Sequence, residues 1–274
     1  MRVIEFTKMV ASGNDFVIIN NIVSKSAALK SGFSNFAKKV CRRKFSIGAD
    51  GVLVLGPSSR ADFKMRIFNA DGSEAEMCGN GIRCAALLAH ETVLAKRAIS
   101  IETIAGIQKI QIKPNGIRIN MPGPTNLLFD VNLALDGENY KVHHINTGVP
   151  HSVVFVKDIE RVDVKALGAK IRYHKRFKPK GTNVNFVGVI DKKNIKIRTY
   201  ERGVEDETLA CGTGSVASAI MAALINNMNS PVSVHTRSGD ILKVYFDIGK
   251  DNAITDVCLE GDAEAVYNGR IEYV

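Results

Sequence analysis

Two cysteines in this chain of 274 residues stand in nearly the same setting: Cys78 opens Cys-Gly-Asn-Gly and Cys211 opens Cys-Gly-Thr-Gly, about half the chain apart. Small and apolar residues follow each at helical spacing. They are Ile82, Ala85, Ala86, Leu87, Ala89, Val93 and Leu94 after the first, and Val216, Ala219, Ile220, Ala223 and Leu224 after the second. Helices are therefore expected to begin near Gly79 or Asn80 and near Gly212. The first N–H groups of a helix have no partner inside it, and its dipole places roughly half a positive charge there. A sulfur just before such a start has its thiolate stabilised, and Gly79, Gly81, Gly212 and Gly214 let a ligand carboxylate approach the backbone.

Two such starts acting on one small molecule would hold its carboxylate and place a sulfur on each side of its α-carbon. A thiolate could then remove the α-proton from one face while a thiol delivers a proton to the other, inverting the configuration. For a carbon acid as weak as a zwitterionic amino acid, general acid–base catalysis supplies only about 10²- to 10⁴-fold. Donors aimed at the carboxylate, worth roughly 3 to 4 kcal/mol each, must supply much of the rest. Spacing and helix electrostatics reach this far and do not name the substrate.

The elements that must position these residues read as two versions of one unit. In the first half, apolar runs at Val3 to Met9, Asp15 to Asn20, Val52 to Leu55 and Phe63 to Asn69 predict strands, with a helix near Ser34 to Arg43. After the Cys78 helix, Ala98 to Glu102, Ile107 to Ile112 and Ile117 to Met121 predict a three-stranded meander, with turns at Gly106 and Pro114-Asn115-Gly116. Pro122-Gly123-Pro124 punctuates the chain and is the expected boundary, giving units of 1–122 and 123–260. The second half repeats the scheme. Strands are expected near Val142 to Ile145, His151 to Val156, Val184 to Ile190 and Ile195 to Tyr200, with a charged helix near Val162 to Ile171. After the Cys211 helix come strands at Val232 to Thr236, Ile241 to Phe246 and Ile254 to Glu260. Such a repeat predicts an α/β (α+β) fold of two pseudo-symmetric lobes whose two turns face each other across a cleft.

Composition narrows the alternatives. The net charge of +9 suits nucleic acid, an anionic membrane or an acidic small substrate. The basic residues are spread along the chain, with small clusters at Lys38 to Lys44 and Tyr173 to Lys180, and no RNA-binding signature accompanies them, so solvated faces are the expected use. No apolar run approaches the ~18 residues of a membrane span, and the N-terminus lacks the pattern of a signal peptide, so a cytoplasmic location is expected. The five cysteines form no CxxC pair and the six histidines no HExxH or HxxxH, so no metal site is expected.

Plainer readings exist for each of the remaining residues. Cys41, Cys84 and Cys258 read as small core hydrophobes, Cys84 lying inside the apolar helix. Gly212-x-Gly214-x-x-Ala217 loosely matches a dinucleotide fingerprint, but a polar stretch precedes it where a buried strand is required, and neither turn carries a P-loop lysine. Asn14, Asn69 and Asn183 could be turn formers, Glu201-Arg202 a surface ion pair and His151 a structural histidine. Taken singly, each of these plain readings suffices; the paired cysteine turns argue otherwise.

The segments ASGNDFV, IGADGVLVL, RIFNADGSEAEMCGNGIRC, NTGVPHSV, GTNVNFV and YERGVEDETLACGTGS together resemble the diaminopimelate epimerases, almost from end to end. Those enzymes interconvert LL- and meso-diaminopimelate in lysine and peptidoglycan synthesis. The resemblance implies two similar lobes, each a mixed sheet wrapped around a central helix, usually paired as a homodimer and working without pyridoxal phosphate, metal or any other cofactor. It implies that residues 261–274 return to the first lobe. Carried over residue by residue, it puts the acid and base on Cys78 and Cys211 and the carboxylate-gripping turns on Gly79-Asn80 and Gly212-Thr213. Substrate-recognising side chains fall on Asn14, Asn69, Asn183, Glu201 and Arg202, with Arg202 suited to a distal carboxylate and Glu201 to a distal ammonium. His151 matches a histidine near the site and is given no proton-transfer role. Some members have Gln where this chain has Gly51 and Asn where it has Val149, so no contact is carried over from those two positions. Two rivals remain: a proline racemase-like or phenazine-biosynthesis-like isomerase of the same fold, and a non-catalytic basic protein that binds nucleic acid.

Overall fold

A computed structural model describes residues 2–22 and 32–273. The chain divides into two compact units, Met1–Ile119 with Gly261–Val274, and Asn120–Glu260. In the first unit the strands are β1 (Arg2–Ala11), β2 (Asn14–Asn20), β3 (Gly51–Gly56), β4 (Phe63–Asn69), β5 (Glu74–Ala75), β6 (Ala98–Thr103), β7 (Gly106–Lys113) and β8 (Gly116–Asn120), joined by the last strand, β18 (Glu264–Tyr273). Pairing runs β18–β1–β2–β3–β4–β6–β7–β8; β2–β3 and β4–β6 are parallel and the other steps antiparallel. Helix α1 (Phe33–Val40) lies between β2 and β3, and α2 (Gly79–Ala89) between β5 and β6.

In the second unit the strands are β9 (Thr125–Leu135), β10 (Glu138–Asn146), β11 (Pro150–Phe155), β12 (Asn183–Val189), β13 (Asn194–Glu201), β14 (Asp206–Thr208), β15 (Val232–His235), β16 (Ile241–Ile248) and β17 (Ile254–Gly261). The order is β9–β10–β11–β12–β13–β15–β16–β17, with β11–β12 and β13–β15 parallel. Each step matches the first unit in order and direction. Helices α3 (Val164–Arg172) and α4 (Gly212–Asn226) occupy the places of α1 and α2. The expected repeat is a repeat of topology, and the mixed α/β architecture of two like lobes follows from it.

The helices that carry the cysteine turns differ from the sequence reading in one respect. One buried side was expected, yet α4 is buried at every position from Gly214 to Ala223 and α2 at nearly every position from Asn80 to Ala89. Each is central to its own sheet: α2 packs on β1, β2, β3, β6, β7 and β18, and α4 on β10 to β13, β15 and β16. A helix apolar around its whole circumference has no solvent face to offer. After Ala89 a π-helical turn, His90–Leu94, closed by a left-handed Ala95, leaves Val93 and Leu94 half-exposed.

Strand β12 shows how the sheet sorts side chains. Val184 and Phe186 belong to the core beneath α3, whereas Val187 belongs to the core around α4. With a period of two, Asn183 and Asn185 share the α4 face with Val187. No described helix is long and apolar enough to cross a membrane.

Candidate active site

In the first unit Cys78 is the N-cap of α2, with extended backbone (φ −146°, ψ 114°), and its sulfur accepts from Gly81 N at 3.4 Å. Its carbonyl accepts the first intrahelical bond, from Ile82 N at 2.9 Å. The N–H groups of Gly79 and Asn80 point ahead of the helix with no acceptor inside it. Gly81 packs closely on β3, since a β-carbon there would lie 3.2 Å from Leu53 Cδ2 and would press on that side chain.

Two of the expected asparagines meet here. Asn80 Nδ2 donates to Asn14 Oδ1 (2.7 Å), and Asn14 Nδ2 donates to Asp50 Oδ2 (3.1 Å). Asn80 Oδ1 in turn accepts from Arg83 Nη2 (2.8 Å), which also reaches Ser12 Oγ (2.7 Å). Arg83 Nε donates to the carbonyl of Asp262 (3.1 Å), in the segment that returns from the end of the chain. Both amide carbonyls are thus engaged, and each amide spends one of its two N–H groups on this chain of bonds.

Arg83 is fully buried and was not singled out in the sequence; nor was the set that fixes Asp50. Arg43 Nη2 bridges Asp15 (2.6 Å) and Asp50 (2.8 Å), and buried Lys8 contacts Asp15 (2.7 Å) and the carbonyl of Gly48. Burial works against the Asp15 carboxylate, but hydrogen bonds from Arg43 and Lys8 outweigh it and hold the acid below its usual range. Asn69 takes a different place: it is exposed at the end of β4, opposite Gly51, and its amide donates to Ser73 Oγ (2.9 Å). Gly51 itself has little room for a side chain, because a β-carbon would lie 2.8 Å from the carbonyl of Phe68.

In the second unit Cys211, buried, is the N-cap of α4 (φ −125°, ψ 111°). Its carbonyl accepts from Ser215 N (2.8 Å) and Ser215 Oγ (2.9 Å), and its sulfur lies 3.5 Å from Thr213 Oγ1. Thr213 is held twice more, its carbonyl by Thr147 Oγ1 (3.0 Å) and its hydroxyl by His151 Nε2 (3.0 Å). His151 is fully buried on β11, and behind it stand Asn185, at 3.0 Å from Nδ1, and Thr199, at 3.0 Å from the Asn185 carbonyl. Asn183 braces a turn: its oxygen accepts from Arg202 N (2.8 Å) and its nitrogen donates to the carbonyl of Pro150 (3.1 Å). Arg202 is half-buried beside it. Burial raises the half-buried Glu201 carboxyl above its usual range.

Asn185, Thr147 and Thr199 were also missed, although the alternation in Thr182-Asn-Val-Asn-Phe places Asn185 on the same strand face as Asn183. Of the three cysteines read as core, Cys41 and Cys84 are buried, and burial pushes Cys41 up to about 11 and Cys84 up to about 12, so both remain thiols; Cys258 is only half-buried, on β17. Among the described residues no cluster of His, Cys, Asp and Glu is arranged to hold a metal.

The same two-lobed topology occurs in solved structures. A phenazine biosynthesis protein of the PhzF family from Bacillus anthracis superposes with a TM-score of 0.76 at 18% identity, covering 100% of both chains. A hydroxyproline epimerase from Agrobacterium vitis gives 0.69 at 15% identity, covering 99% of this chain and 91% of the other. At such identities the likeness is one of fold alone. Sequence goes further. The diaminopimelate epimerase of Aquifex aeolicus (strain VF5) is 45% identical over 275 residues, 97% of each chain. That of Methanocella arvoryzae is 42% identical over 290 residues, covering 99% of this chain and 98% of its own. The family model for diaminopimelate epimerase matches residues 6–128 and 143–263, a span that includes both cysteine turns and every side chain described around them. This chain belongs to the diaminopimelate epimerase family.

Proposed function

We propose that the protein interconverts LL- and meso-diaminopimelate by two-base proton transfer, Cys78 and Cys211 serving as thiolate and thiol in alternation. One sulfur takes the α-proton and the other returns a proton to the opposite face of the carbon, so no cofactor is called for. What carries this reading is the duplicated N-cap cysteine: each unit starts its buried central helix at a cysteine, and in the first unit the Asn14 and Asn80 amides beside it have their carbonyls engaged. Such helix starts favour an anion, and a carboxylate gaining charge as the α-proton leaves is the anion this reaction creates. Gly79, Asn80, Gly212 and Thr213 are assigned to that carboxylate.

Recognition of the substrate by side chains is assigned to Asn14, Asn69, Asn183, Glu201 and Arg202, the last two at its distal end. The planar guanidinium of Arg202 suits the distal carboxylate, and a cation brought to Glu201 would favour the ionised form that burial opposes. A homodimer and a place in the synthesis of lysine and peptidoglycan precursors belong to the same proposal.

The test is LL-diaminopimelate in heavy water with no added cofactor, followed by proton NMR. Early product should carry deuterium at the inverted carbon while remaining substrate largely does not. Deuterium accumulating first in unconverted substrate would point to one exchanging base and sink the two-base reading. Turnover of proline or hydroxyproline with none of diaminopimelate would move the substrate assignment to the sister enzymes.

A further inference from the structure

In the second unit a chain of hydrogen bonds ends on the Cys211 sulfur, and the donors and acceptors along it fix where each hydrogen lies. The chain begins at Thr199, which faces Asn185 across the β12–β13 pair, its Oγ1 3.0 Å from Asn185 Oδ1. The other end of the amide, Nδ2, lies 3.0 Å from His151 Nδ1 and 3.5 Å from the carbonyl oxygen of Ser152. A carbonyl oxygen only accepts, so the amide atom beside it is the nitrogen, and the amide oxygen is left to accept from Thr199. Asn185 and His151 are 0% exposed and Thr199 2%, so bulk water does not compete for these bonds.

His151 Nδ1 therefore faces an N–H and is a bare acceptor. Burial keeps the ring neutral, with its pKa held down to about 3, and His144 and Arg202 nearby add to the effect. A neutral ring with a bare Nδ1 carries its hydrogen on Nε2. That nitrogen lies 3.0 Å from Thr213 Oγ1 and donates to it. The hydroxyl hydrogen of Thr213 is then directed away from the ring, and Cys211 Sγ, 3.5 Å from the same oxygen, receives it.

We propose that Asn185, locked by Thr199, is a positioning residue that fixes His151 as the Nε2–H tautomer, so that Thr213 donates its hydroxyl hydrogen to the Cys211 sulfur. In the other tautomer the bare Nε2 would take that hydrogen and the sulfur would lose the donor. Gly214 belongs to the same device: a β-carbon there would lie 2.4 Å from Asn185 Oδ1, so glycine is what lets the lock stand against the helix start. The value of the device to catalysis rests on Cys211 being a reacting sulfur, as proposed above; the order of hydrogens does not.

The tautomer can be read directly by nitrogen-15 labelling of the six histidines and long-range proton–nitrogen correlation at neutral pH, with His151→Gln identifying the ring by subtraction. The wild-type ring should be neutral and protonated at Nε2, and should stay so in mild acid where exposed histidines become charged. In Asn185→Asp the carboxylate should draw a hydrogen onto Nδ1. A wild-type ring protonated at Nδ1, or an Nδ1 left bare in Asn185→Asp, overturns the proposal. Thr199→Val, which frees the amide to turn, should lower kcat about tenfold with KM little changed; an unchanged kcat removes Asn185 from its positioning role. Should Asn185→Asp not fold, the wild-type spectrum still decides the tautomer. The spectrum needs no substrate, so a protein inactive on diaminopimelate with an Nε2–H ring would refute the functional reading and leave this order of hydrogens standing.

Discussion

The two units share a topology strand for strand and a cysteine at the same helix start, yet they support the two sulfurs with different physics. Behind Cys78 the supporting groups carry full charges: buried Arg83 on the Asn80 carbonyl, and Asp50 on the Asn14 amide, itself held by Arg43 and the Asp15 N–H, with Arg43 and Lys8 both on the Asp15 carboxylate. Behind Cys211 they are neutral: Thr213, a buried uncharged His151, Asn185 and Thr199. Duplication of a fold therefore preserved the helix start and not the means of orienting what lies around it. Charged hydrogen bonds are shorter and stronger, but where they reach the surface they are screened; the Arg43 side chain is 59% exposed. A buried neutral chain is indifferent to salt and depends instead on each member keeping its hydrogens in one order.

The largest expected effect tests whether the two sulfurs are equivalent despite these surroundings. Cys78→Ala and Cys211→Ala should each lower epimerisation on the order of 10³-fold or more, the range in which a positioned acid or base contributes. Circular dichroism should be unchanged in both. The stability effects should differ, because Cys78 caps its helix through Gly81 N and its loss removes a weak cap worth at most about 1 kcal/mol. Full turnover in either variant would end the symmetric view of the pair.

A smaller effect separates the charged support from the neutral one. Asp50→Asn removes the carboxylate that holds the Asn14 amide and one of the two acids under Arg43. Asn14 and Asn80 should then lose their fixed orientation, and kcat/KM should fall about tenfold, a loss near 1.4 kcal/mol. Raising the salt concentration should weaken the parent enzyme's first unit in the same direction. If Asp50→Asn matches the parent in kcat/KM at low salt, the acidic network around Asn14 has no part in orienting the site.

How much of this was legible in the sequence follows from what each element faces. The cysteine helices, the meander and the individual strands that turn out to pair in parallel could be read because a buried face imposes its period on the residues, whereas the pairing itself carries no such period. Strands β9 and β18 could not, since both are mostly exposed and β9 is broken by left-handed residues at Asn126 and Asp130. At the site, Cys78 and Cys211 stood out through their glycines, and Asn14, Asn69, Asn183, Glu201 and Arg202 through a resemblance. Arg83 and Asp50 carry no local mark, because they act on other side chains, Asn80 and Asn14, rather than on a ligand. Arg83 is hidden inside an apolar helix, where its charge reads as a break in the pattern. Asn185 could have been found from the two-residue period that it shares with Asn183.

Acid offers the gentlest probe of the contrast, because it should reach the neutral unit first. His151 is held at about 3 in the folded protein against 6.5 for an ordinary histidine, and burial also lowers His143 and His144. Below pH 6.5 the unfolded chain binds protons that the folded chain refuses. The stability that these rings contribute is therefore fully present above 6.5 and is lost as the pH falls toward the folded values. Each ring can contribute a slope of at most about 1.4 kcal/mol per pH unit. Asp15 is lowered from 3.8, so its contribution persists until the pH falls through that acid range, well below the histidine window. Glu201, raised by burial, works in the opposite sense, so the readout is a difference between proteins rather than the raw slope. Urea denaturation at pH 7.5, 6.5 and 5.5 should show His151→Gln losing less stability on acidification than the parent, by up to one proton's worth of slope. Parallel losses in the two proteins would mean that His151 is charged when folded, and the neutral chain behind Cys211 would no longer stand as the counterpart of the charged one behind Cys78.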